Sequence, residues 1–261
     1  MGKQDVDVEK YFEELYEFTL NNINETCVEI ISNKIVYMDY AIYSLENEFK
    51  CLGILELCYR KDLKAGRECF YKATLAREWF FEQIRKKEYA VSLNYVNCYK
   101  FNKLYDAILS GNKERAIYMA ELFGSIEVPE KIKLAVLMLG YGLKYTILDD
   151  KEKTLEYVKM MEDNKTKSGM KQYAAGEARA FRGLVERDEV EFNEGLEYML
   201  THHIGRMRRE GSNLDVYFAT GSVALAMLAK DRGINITVKH NLLCEEYLQE
   251  VEVDYSGLKM Y

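Results

Sequence analysis

Residues 185–203 read VERDEVEFNEGLEYMLTHH, and whether this stretch is a site or the outside of a helix decides how the chain is built. Glu191, Glu194 and Glu197 recur at three-residue steps ahead of the adjacent His202 and His203. On a helix of about 3.6 residues per turn these glutamates share one side. Phe192, Leu196, Met199 and Leu200 share the other, together with His203. No glutamate stands three or four residues from either histidine, the spacing at which helical side chains meet. Carboxylates and imidazoles therefore face apart. The reading is a solvated acidic face, a packed His203 and a His202 near the helix C-terminus; ligands recruited from other helices stay open.

The same stretch carries the mark of a repeated turn. Asp188 is of the type that caps a helix start by accepting its free amide hydrogen bonds, and Glu191 three residues on completes a capping box. Asn112 and Asp150 precede it at steps of 38 residues. Three positions before each cap stands an apolar residue: Leu109, Ile147 and Val185. After each, a one-face stripe recurs, Ala116, Ala120 and Phe123, then Thr154, Val158 and Met161, then Phe192, Leu196 and Met199. The expectation is an all-α chain of stacked antiparallel helix hairpins, a tetratricopeptide-like superhelix in which each hairpin buries its stripe against its neighbours.

Composition agrees. One proline in 261 residues suits long helices with short connections. The apolar spacing predicts helices near 7–20, 25–48, 50–61, 63–87, 90–110, 113–124, 130–148, 151–163, 170–187, 189–207 and 214–230. Pro129 fits a first helical turn and Gly233 a left-handed helix stop. At most one short strand is expected, in INITV at 234–238, where Ile234, Ile236 and Val238 alternate. A single domain over 1–261 is expected, with a soft boundary near 124–129.

The net charge of −7 disfavours direct nucleic-acid binding, which needs a basic face. The opening MGKQDVDVEK lacks the build of a secretion signal, and the longest apolar runs fall short of the ~20 residues that span a bilayer. Six cysteines without a CxxC pair read as reduced packing residues, so a cytoplasmic location away from membranes is expected. Glu-x-x-His, HExxH, the phosphate loop, GxGxxG and GxSxG are all absent from the sequence, so no enzyme, metal or cofactor is read from it. Arg206, Arg208 and Arg209 sit where cations complement a helix dipole, and a phosphate or acidic-peptide contact is the alternative. Twenty-one tyrosines spread across the helices are read as half-buried packing residues, although tyrosine also favours interfaces. In the tail CEEYLQEVEVDYSGLKMY, Glu245, Glu246, Glu250, Glu252 and Asp254 interleave with Tyr247, Leu248, Val251 and Tyr255. That is either a docking surface for a cationic partner or a terminal segment with a solvated face.

Over 175–248, ARAFRGLVERDEVEFNEGLEYMLTHH followed by VYFATGSVALAMLAKDRGINITVKHNLLCEEYL resembles immunity protein family 49 of bacterial polymorphic-toxin systems. The shared order is a helix ending in the acidic turn Arg187–Asp188, a second helix closing on histidine, then a small-residue helix that ends in LAKDRGI before a short extended segment. The resemblance implies a cytoplasmic inhibitor that occludes a cognate protein toxin stoichiometrically. A basic, nuclease-like toxin suits an acidic inhibitor, and the five tail carboxylates are its candidate contacts. The alternative is a helical-repeat scaffold or regulator that holds a peptide or protein segment. An uncharacterised enzyme is the third reading.

Overall fold

The computed structural model describes residues 7–128, 133–167, 170–210 and 214–261, with the side chains of 209 and 210 left aside. Eleven α-helices and no strand occur among them. The chain forms two compact units, one of residues 1–91 with 251–261, the other of 92–250.

The first unit is built on three helices, α1 (Val8–Ile31), α2 (Met38–Leu55) and α3 (Leu63–Lys86), with a π turn, Glu56–Arg60, prolonging α2. Asp7 and Asp62 cap α1 and α3, accepting from Lys10 N at 3.3 Å and Ala65 N at 2.9 Å. The expected break at 21–24 is absent. Ile23 continues the buried row Phe12, Thr19, Ile23 and Ile30, so packing holds the polar NNIN run helical. The chain turns instead after Ile31, where Asn33 takes a left-handed φ of 56°. Ile42, Leu45, Phe49, Phe70 and Phe80 form the centre of this unit. Inside it the Arg77 guanidinium grips buried Glu46, Nε to Oε1 at 2.6 Å and Nη2 to Oε2 at 2.8 Å. Residues 251–261 belong to this unit and lay Tyr255 on Tyr71, ring centres 4.7 Å apart.

The second unit opens not with the expected helix over 90–110 but with two 3-10 turns, Leu93–Tyr95 and Cys98–Lys100, before α4 (Lys103–Leu109). Ser92 and Asn97 bond the amides two residues ahead, and such local bonds compete with an α-helix. Then follow α5 (Lys113–Leu122), α6 (Leu134–Ile147), α7 (Lys151–Asp163), α8 (Met170–Ala175), α9 (Glu177–Glu186), α10 (Glu189–Glu210) and α11 (Thr220–Asp231). Pro129 lies outside the described residues.

The turns before α5, α7 and α10 are alike. Asn112, Asp150 and Asp188 each accept the amide hydrogen three residues on, at 2.8, 3.1 and 3.0 Å. The residue before each cap is left-handed: Gly111, Asp149 and Arg187, with φ of 75°, 56° and 58°. All twelve residues of the flanking pattern, from Leu109 to Met199, are buried. Asp149 also reaches across to its counterpart, accepting from Arg187 Nη2 at 2.7 Å, and pairs with Arg232 at 3.3 Å. The Arg187 hydrogen bonds hold the Asp149 carboxyl below its ordinary range.

Two further expectations change. The helix expected over 170–187 breaks at Gly176, whose φ of −108° and ψ of −83° leave the helical region. INITV is extended but unpaired as a strand: Ile234 is buried and Asn235 and Thr237 face out, so the alternation survives. Its backbone partner is a side chain of α10, because Asn193 donates to Asn235 O at 2.9 Å and accepts from Thr237 N at 2.8 Å. Gly233 does take the left-handed stop, with φ of 74°.

Candidate partner-binding surface

Two glycines bring α9 and α10 together. A Cβ on Gly183 would stand 2.4 Å from Phe192 N, and one on Gly195 would stand 2.6 Å from Ala180 N. At that spacing the outer rims of the two helices meet in an ion-pair lattice. Arg179 binds Glu191 through Nε at 3.2 Å and Nη2 at 2.9 Å, and also pairs with Glu194. Arg182 bonds Glu191 at 3.1 Å and Glu162 of α7 at 2.6 Å. Arg179, Arg182, Glu191 and Glu162 help to line an open cleft of about 610 Å³, together with Lys165, Lys171 and Ala174. Part-exposed pairs of this kind contribute about 0–1 kcal/mol each, so the lattice orients charge more than it stabilises the fold. The solvated acidic face holds for exposed Glu197 and is incomplete for Glu194, exposed but paired with Arg179, and for half-buried Glu191. Sequence reading missed the lattice, although R-x-x-R at 179–182 facing E-x-x-E at 191–194 across a tight turn is its signature.

The histidines separate as the wheel implies. His202 is exposed and stacks on Tyr198, while His203 is buried and its Nε2 donates to Asp215 O. The helix expected over 214–230 begins only at Thr220. The Asp215 carbonyl is engaged by a side chain, and residues 214–216 form a separate 3-10 turn. Burial pushes the His203 imidazole below its ordinary value of 6.5. The unfolded chain then binds a proton below pH 6.5 that the folded chain resists, so this contribution to stability is complete above 6.5 and declines as pH falls below it. His203→Gln, which keeps a donor for Asp215 O, should flatten the fall in melting temperature between about pH 6.5 and 5.5. An unchanged slope would place the titration elsewhere.

Arg206 departs from the helix-dipole role. It turns inward, donates to Glu177 at 2.8 Å and lies over Tyr173, with its side chain 16% exposed. Tyr105 is buried beside this pair, and burial first, then the Glu177 charge, raises its phenol far above the ordinary range. Arg208 is exposed, and residues 211–213 lie outside the described residues. A second aromatic feature is half-buried: Tyr141, Tyr145 and Tyr157 stack on one another at 5.6–6.3 Å, with Lys153 4.8 Å above Tyr145. Among the described residues no three of His, Cys, Asp and Glu converge where a metal ion is held. Nor is any helix among them long and apolar enough to cross a membrane.

The five tail carboxylates are all exposed, but they divide between the units. Glu245 and Glu246 sit on a 3-10 turn, Glu245–Leu248, anchored by buried Tyr247 against Phe218 at 5.4 Å and by Lys230 donating to Leu248 O at 2.9 Å. Glu250 ends the second unit. Glu252 and Asp254 go with the first, where Asp254 accepts from Ser256 N at 3.0 Å.

The family model for Immunity protein 49 matches residues 147–246, from the last residue of α6 to the Glu245–Leu248 turn. The match starts earlier than the resemblance read from 175 and lies wholly inside the second unit. No curated protein and no solved structure matches the chain.

Proposed function

We propose that this chain is an immunity protein that binds a cognate bacterial toxin and neutralises it by stoichiometric occlusion, in the cytoplasm of the cell that makes both. The observation that carries this reading is the family match, which takes in α7 to α11 within one compact unit. A helical surface dressed with oriented arginine–carboxylate pairs and half-exposed tyrosines supports recognition of a protein, since Tyr and Arg are enriched where binding energy concentrates. A net charge of −7 suits a basic, nuclease-like toxin through electrostatic steering. The test is co-expression with the gene beside it. A product lethal alone and harmless with this chain supports the reading, and undiminished toxicity overturns it.

Glu245, Glu246, Glu250, Glu252 and Asp254 are proposed contacts. Reversing Glu245 and Glu246 to lysine should slow association about tenfold at low salt and flatten its salt dependence, because exposed charges act mainly on encounter. An unaltered rate would remove this turn from the interface. The second reading, a helical-repeat scaffold for a peptide, is favoured by the three like turns at 38-residue steps. It requires binding to a short linear segment in place of a folded toxin.

A further inference from the structure

The first unit lies outside the family match and carries a helix face that its own packing does not use. α1 packs against α2 and the π turn through Phe12, Thr19, Ile23 and Ile30. Its outward side shows Glu14, Phe18, Asn21, Glu25 and Val28, all exposed, at alternating steps of four and three residues. That spacing draws one stripe along a helix, roughly 20 Å long at 1.5 Å per residue. Phe18 and Val28 are 61% and 62% exposed, and Ile31, three residues beyond Val28, is 71% exposed. Large apolar groups set at helical spacing on an outer face are the arrangement by which a partner helix is gripped.

The charge around them selects the occupant. α1 carries six glutamates against one lysine, and that Lys10 is paired with Glu14 at 3.8 Å. Glu17 and Glu29 flank the stripe and are exposed. A second copy of this chain would set the same carboxylates against one another, and nucleic acid or an anionic lipid surface would be repelled. A cationic protein segment meets both features at once.

We infer that the outward face of α1, from Glu14 to Ile31, is a docking surface for a basic amphipathic helix of the toxin, an inference that rests on the immunity reading. Apolar side chains of that helix seat on Phe18 and Val28, and its lysines or arginines lie against Glu14, Glu17, Glu25 and Glu29. Both units then take part in recognition, each through its own surface.

The experiment measures binding of the full chain to the toxin encoded beside it, carrying an inactivating substitution. The unaltered chain is compared with Phe18→Ser/Val28→Ser and with Glu17→Lys/Glu25→Lys. These positions are exposed, so both variants should keep the parent melting temperature. The apolar pair should raise Kd about ten- to a hundredfold, as loss of buried anchors does. The charge pair should slow association about tenfold at low salt while leaving dissociation nearly unchanged. Parent-like binding by both variants overturns the inference and leaves the immunity reading standing. Self-association of the unaltered chain that the Phe18→Ser/Val28→Ser variant abolishes also overturns it, by giving the face to a second copy. If the unaltered chain does not bind the toxin, the immunity reading itself fails, and the inference with it.

Discussion

Gly183→Val should unfold the α9–α10 hairpin. A side chain at 183 meets backbone: its Cβ would lie 2.4 Å from Phe192 N and 2.6 Å from Phe192 Cα. Ordinary overpacking of a core costs about 1–3 kcal/mol because side chains rotate aside. Here α10 itself would have to move, and with it Phe192, Leu196 and Met199, all buried. The expected loss is about 3 kcal/mol or more, a large share of the roughly 5–15 kcal/mol that keeps a typical protein folded. Urea titration with far-UV circular dichroism reads it directly. Gly257→Ala is the control, since nothing stands within 4 Å of a Cβ there. A Gly183→Val protein with the parent midpoint would mean that the helices are not as close as described.

Ala224→Arg should yield no soluble protein. Ala224 is fully buried in α11, as are Val223, Leu225, Ala226 and Ala229. α11 lies against α4, closely enough that a Cβ on Gly221 would touch the Tyr105 ring at 3.2 Å. An arginine at 224 would have to place a guanidinium among apolar neighbours, at several kcal/mol after relaxation. It would also force apart helices that small residues let approach. Soluble yield and melting temperature are the measurements, and a parent-like melt would show that α11 is not the internal element of its unit.

Local chemistry is the part of this fold that is legible in the sequence. The caps at Asn112, Asp150 and Asp188 are legible because a cap is a bond between a side chain and an amide three residues away. The apolar stripes are legible because burial on one helix face leaves a period in the chain. The failures share the opposite property. The NNIN run reads as a break because its asparagines are poor helix formers, yet Ile23 is buried and tertiary packing overrides the propensity. INITV reads as a strand, and alternation alone does not reveal that Asn193, 42 residues away from Asn235, takes its backbone bonds. Arg206 reads as a helix-end cation because its partner, Glu177, stands 29 positions earlier. Separation along the chain likewise hides the Arg182 bond to Glu162, 20 positions earlier. For the candidate surface, residue types are legible, but which carboxylates are free and which are already paired is not.

The chain's last eleven residues rejoin the body that its first helices build. In connectivity, the segment 92–250 is thus an insertion within a host module, entered at one junction and left at another. Excising it leaves the host in two pieces that must be rejoined by a linker, whereas the insert itself comes away as one continuous stretch. A truncation at the C-terminus therefore injures the module most distant in sequence, and deletion series read as simple trimming would misassign the damage.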